Sequence, residues 1–217
     1  MNKNTKVSEI FRESLTVYQK RFWTFFLIVL IPLLFTRLIS YFFSTDFKLV
    51  DRLITFIITT WETLALYQTI QNKNTNLLKI FSQSLKKLFP FLIVNLFFYL
   101  AVFGGSILFI VPGILFMIWF NLAFWIFVDQ NIGGNQALML SKEYMKGNIG
   151  YFLKKNILII LISIIPALTI FYLLRGNLIL SWTVTSIISA LIAPLTAIYG
   201  HFIYQNIKDS KISKSKK

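Results

Sequence analysis

Uncharged apolar runs of near-bilayer length alternate along this chain with short segments that are apolar on one helical face and basic on the other. The pattern is clearest between Val111 and Gly150. Pro112 and Gly113 are structural breakers that stop one helix and open the next, no charge occurs from Gly113 to Val128, and Asp129 ends the run. After Gly133-Gly134, Asn135 can cap a helix over 136–146. There Ala137, Leu138, Leu140, Ser141, Tyr144 and Met145 follow helical spacing, with Lys142, Glu143 and Lys146 opposite. This predicts a membrane pass followed by a helix lying in the interface.

The remainder of the chain repeats the theme. Residues 5–21 place Val7, Ile10, Phe11, Leu15 and Tyr18 on one face of an amphipathic helix, and residues 75–89 do the same with Leu77, Phe81, Leu85 and Leu88. Spans are predicted at 22–43, 52–71, 90–109, 112–128, 156–174 and 178–207, with Pro32 inside the first and Pro90 ending the second interfacial helix. Residues 90–128 leave little chain for two passes, so their hairpin only just crosses; a re-entrant hairpin is the alternative. The expected fold is all-α, a single six-span membrane domain over 1–207 with three interfacial helices, and a basic disordered tail at 208–217.

Composition agrees with this pattern. The 217 residues are 56% hydrophobic and 14% charged, too little charge to cover a soluble domain of this size. The formal net charge of +14 raises the question of nucleic acid, but the basic residues flank apolar runs and do not form a soluble face. Lys20, Arg21, Lys86, Lys87, Lys142, Lys146, Lys154 and Lys155 are expected to contact anionic lipid headgroups. With six passes, residues 1–21, 71–89, 129–156 and 207–217 share one side and hold 18 of the 22 Lys and Arg, so a cell membrane protein with both termini in the cytoplasm is expected. The N-terminal segment lacks the small-residue cleavage pattern of a signal peptide, so the first span is expected to remain. There is no cysteine and one histidine, which argues against thiol chemistry, cysteine metal sites and histidine-rich metal sites. No cofactor is expected.

FRESLTVYQKRFW, FSQSLKKLFPF and LSKEYMKGNIGYF each join a basic amphipathic segment to a span, with Ser14, Ser84 and Ser141 at comparable places. The succession Pro112-Gly113-Ile114, an aromatic-rich span, Asp129, Gly133-Gly134, Ala137-Leu138, Ser141, Tyr144 and Lys146-Gly147-Asn148 resembles a family of bacterial integral membrane proteins. That family includes the membrane domain attached to some glycerophosphodiester phosphodiesterases, together with stand-alone members. The resemblance is clearest over residues 110–155 and implies a compact multi-span module linked to lipid or envelope metabolism. It does not imply phosphodiesterase activity, which belongs to a separate soluble barrel with metal-binding carboxylates and paired histidines.

The chain contains no GxSxG or HExxH motif and no paired-carboxylate motif, and a non-enzymatic protein is expected. Glu62 is the sharpest polar candidate, since a carboxylate inside a span must face protein or water or be protonated. Asn121, Asn95 and Arg37 are its candidate partners. One reading makes this set a site for a proton, a cation or a headgroup amine; the other makes it a helix-joining hydrogen bond between a neutral Glu62 and Asn121. Arg37 is expected to snorkel and His201 to sit in the interface. Two functions follow: a lipid-associated scaffold of the envelope, or a small transporter or lipid carrier centred on Glu62 and Asn121. Expected partners are anionic membrane lipids and a second copy of the chain or another membrane protein.

Overall fold

The computed structural model describes residues 6–43, 48–72, 76–173, 176 and 178–215. Every element among them is an α-helix: α1 Val7–Lys20, α2 Phe22–Phe43, α3 Lys48–Asn72, α4 Leu77–Leu108, α5 Ile110–Phe120, α6 Ala123–Gln130, α7 Gly134–Met145, α8 Ile149–Leu173 and α9 Leu178–Ser215. Five segments are long and apolar enough to cross a membrane: Phe22–Ser40, Leu77–Leu108, Ile110–Gln130, Ile149–Ile170 and Val184–Ser213. The chain is therefore a multi-pass membrane protein. The segment expected to cross at 52–71 is helical, within α3, but Asp51, Arg52, Glu62 and its threonines and glutamines keep it out of that set.

Several boundaries differ from the sequence reading. α4 runs unbroken through Pro90, joining the expected interfacial helix to the following span. Pro90 removes the N–H that would bond the Lys86 carbonyl, but both residues are exposed, where other donors can reach that oxygen. α4 and α5 form a hairpin that turns on one residue, Phe109 (φ −161°, ψ 152°), and not at Pro112-Gly113. Pro112 instead falls in the first turn of α5, where its missing N–H has no intrahelical acceptor to lose. Gly113 marks the close approach: a Cβ there would lie 3.0 Å from Ser106 Cα, and one on Gly105 would lie 2.6 Å from Phe116 Cδ2. Helix α7 starts at Gly134, capped by Gly133 and not by Asn135. The tail read as disordered is helical through Ser215, and residues 216–217 lie outside the described residues.

The chain divides into two compact units, Met1–Val29 with Gly150–Lys217, and Leu30–Ile149. In the first, α1 lies along α9. Ile10, Ser14, Tyr199, Ile203, Tyr204 and Ile207 are fully buried there. Its 38 residues make α9 about 57 Å long, well beyond a hydrocarbon core of about 30 Å. In the second unit, α4 packs on α3, α5, α6 and α7. Its core is built from Leu64, Ala65, Ile80, Phe91, Val94, Leu122, Ile126 and Met145.

Candidate lipid-headgroup site

Each of the three basic amphipathic segments buries one serine; Ser14, Ser84 and Ser141 are all 0% exposed. Ser14 Oγ donates to the Ile10 carbonyl of its own helix at 2.7 Å. Ser84 Oγ donates to the Phe81 carbonyl at 3.0 Å and accepts from Trp61 Nε1 at 2.8 Å. Ser141 joins separate elements: it donates to the Trp119 carbonyl at 2.7 Å and accepts the Leu122 N–H at 3.1 Å. Those two backbone groups are freed where α5 gives way to α6, so a hydroxyl from α7 satisfies the break. The pin fixes α7 against the middle of the Ile110–Gln130 segment.

Beside this joint lies an open groove of about 630 Å³, lined by Trp119, Met139, Leu140, Lys142, Glu143, Lys146, Gly147 and Ile149. The volume falls within the ~300–1,000 Å³ usual for small-molecule sites. Its walls are apolar, and its two lysines stand four residues apart, Lys142 in the last turn of α7 and Lys146 at its C-cap. Lys142 Nζ lies 4.9 Å from the Trp119 ring centroid, so the indole face holds that cation at the wall. Gly147 adopts φ +79°, which a side-chain-bearing residue tolerates poorly, and turns the chain out of α7.

Further polar contacts close the same unit. Gln71 Nε2 donates to Asp129 Oδ1 at 2.7 Å, and Lys87 Nζ donates to Asn131 Oδ1 at 2.9 Å. Asn131 ends α6 in the left-handed region (φ 57°), which asparagine tolerates better than most residues. Tyr67 stacks on Trp125 with ring centroids 4.0 Å apart, tying α3 to α6.

The polar set expected around Glu62 is dispersed. Glu62 is half-buried and makes no hydrogen bond among the described residues. Asn121 is exposed at the C-terminal end of α5, and no Glu62–Asn121 hydrogen bond is present among the described residues. Asn95 is buried and donates to the Phe91 carbonyl of its own helix at 3.0 Å. Arg37 is exposed towards the end of α2, and His201 is half-buried in α9. Of the expected headgroup contacts, Lys20, Lys86, Lys142, Lys146 and Lys154 are exposed, and Arg21, Lys87 and Lys155 partly so. Trp23 is 70% exposed, as an interfacial anchor requires. Arg175 and Asn177, between the spans expected at 156–174 and 178–207, and the Trp182 side chain lie outside the described residues.

In α1, burial raises the Tyr18 phenol above its ordinary value. Its hydroxyl donates to the Leu191 carbonyl at 3.0 Å, a bond that only the protonated form makes. Among the described residues no group of three or more His, Asp or Glu side chains comes together as a metal site would require. The groove itself was not legible in the sequence: Trp119 meets Lys142 only because α7 folds back on α5 and α6. Compared with protein-family models, with curated proteins and with solved structures, the chain matches none of them.

Proposed function

We propose that this protein is a non-enzymatic, lipid-associated scaffold of the cytoplasmic membrane, with both termini in the cytoplasm and its basic helices on the anionic leaflet. The observation that carries the reading is the serine joint. Ser141 locks α7 to the α5–α6 break and so holds Lys142 and Lys146 as a fixed cationic surface. The six-pass count treats the α4–α5 hairpin as two passes; that hairpin returns to the side it left however deep it goes, so the placement of the termini does not depend on it. The resemblance to a membrane module linked to lipid metabolism points the same way.

The test is stability in vesicles with an increasing fraction of phosphatidylglycerol in phosphatidylcholine. The thermal midpoint should rise with the anionic fraction, and the gain should vanish at 1 M salt, where the screening length falls to about 3 Å. A midpoint indifferent to lipid charge defeats the reading. The second reading, a small transporter or lipid carrier centred on Glu62 and Asn121, is favoured by the half-buried Glu62 having no hydrogen bond among the described residues. A small molecule retained by wild type and lost in Glu62→Gln, measured by native mass spectrometry, would establish it.

A further inference from the structure

We infer that the α5–α7 groove holds one phosphodiester lipid, with the phosphate between Lys142 and Lys146 and an acyl chain running along α5 from Trp119. This rests on the reading of these lysines as headgroup contacts, and it adds a defined site and stoichiometry to a diffuse attraction.

Three features select that occupant. The first is shape: a polar rim carried by one turn of α7 opens onto an apolar wall of Trp119, Met139, Leu140 and Ile149, as an amphiphile requires and a free anion does not. The second is charge. Lys142 and Lys146 supply two positive charges and Glu143 removes one, so the rim carries a net +1. A phosphodiester with an uncharged headgroup substituent brings one negative charge and neutralises it; a dianionic phosphomonoester brings an excess. The third is preorganisation, because the indole of Trp119 already holds the Lys142 ammonium in place.

Length fits as well. From Ile110 to Phe120, α5 has no polar side chain, and its 11 residues rise about 16 Å, close to half of a core of about 30 Å. A lipid whose phosphate sits at Trp119 and Lys142 therefore has one leaflet of apolar helix beneath it. The same placement puts the hairpin turn at Phe109 near the bilayer centre. The residues there, Ile107, Leu108, Phe109, Ile110 and Val111, are 66–76% exposed and wholly apolar. A turn emerging into water would be an unfavourable place for them, and lysines at the bilayer centre would be equally unfavourable.

The experiment uses the full chain in nanodiscs of phosphatidylcholine and phosphatidylglycerol, released for native mass spectrometry under conditions that strip bulk lipid. Wild type should retain one phosphatidylglycerol. Lys142→Gln with Lys146→Gln should lower that retention at least tenfold, whereas Lys208→Gln with Lys211→Gln, an equal loss of charge, should leave it unchanged. Lys142→Arg with Lys146→Arg should retain the lipid, which separates loss of charge from loss of fold. Equal losses in the two glutamine pairs, or none in the groove pair, overturn the site while leaving the diffuse attraction intact. Wild type without preference for phosphatidylglycerol defeats both. Displacement of the lipid by millimolar inorganic phosphate, or stronger retention of phosphatidic acid, would also overturn the assignment.

Discussion

The two ends of α4 solve opposite problems with the same helix. Towards its N-terminus it turns Ile80, Ser84, Phe91, Val94 and Asn95 inward, whereas beyond that it turns Leu96, Phe97, Tyr99, Leu100, Phe103 and Ile107 outward. At the first end α3, α6 and α7 supply partners, and hydrogen bonds from Ser84, Ser141, Gln71 and Lys87 close the joints. At the second end the neighbouring turn is the apolar Phe109 hairpin, and the exposed side chains suit hydrocarbon and not water. Where lipid is the solvent, burying a leucine gains little, because a lipid tail is as apolar as the core. Helices must then be held by close fit, which is what Gly105 and Gly113 permit. The first end has its exceptions in Leu78, Leu85 and Phe89, which are exposed among Lys79, Lys86 and Lys87 as interfacial residues are.

The contrast can be broken at either end. The largest effect is expected at the hairpin: Gly113→Leu drives its side chain into Ser106 and should lower stability by about 3 kcal/mol, read from unfolding in mixed micelles. Gly104→Ala, with nothing within 4 Å of its Cβ position, should be neutral or slightly stabilising. Equal effects from the two would show that close fit does not hold this end. Next comes the polar end. Ser141→Ala leaves the Trp119 carbonyl and Leu122 N–H without their partner and should cost about 2 kcal/mol in the same titration.

A third measurement sharpens the boundary between the ends and is free of background because the chain has no cysteine. Phe109→Cys should resist a membrane-impermeant maleimide from both sides, while Lys142→Cys reacts from the cytoplasmic side. Rapid labelling of Phe109→Cys from the far side would instead establish a fully crossing hairpin. The smallest effect is expected in the other unit, where α1 is held to α9 through Tyr18. Its raised phenol favours the protonated folded form, so the contribution is complete below the ordinary value of 10.0 and is lost as pH rises through the higher folded value. Tyr18→Phe should remove that alkaline loss from a stability–pH profile.

Much of the architecture was legible because its causes are local. The 3.6-residue spacing of Val7, Ile10, Phe11, Leu15 and Tyr18, and of Leu138, Ser141 and Met145, marks helices; the structure buries the second set, and of the first it buries Ile10 and half-buries the others. The breakers were legible as breakers but not in their positions. Proline and glycine tell only that a helix is weakened; in α4 the exposed Pro90 is tolerated, and the turn moves to Phe109, where Gly113 can touch Ser106. The polar set around Glu62 was grouped by estimated depth alone, and depth says nothing about which face of a helix an asparagine occupies. Asn95 was satisfied within its own helix and Asn121 faced outward.

By itself, then, the sequence determined an all-helical, multi-pass membrane protein with its positive charge gathered on one set of connections, because hydropathy and charge act residue by residue along the chain. Only the tertiary structure decided that α7 folds back onto the α5–α6 break, that Ser141 satisfies two backbone groups there, and that Trp119 meets Lys142 across a groove. Those contacts join residues about 20 positions apart across the α5–α6 break and the connection into α7, and no local propensity encodes them. They arise from the need to pair every freed backbone group where water is scarce.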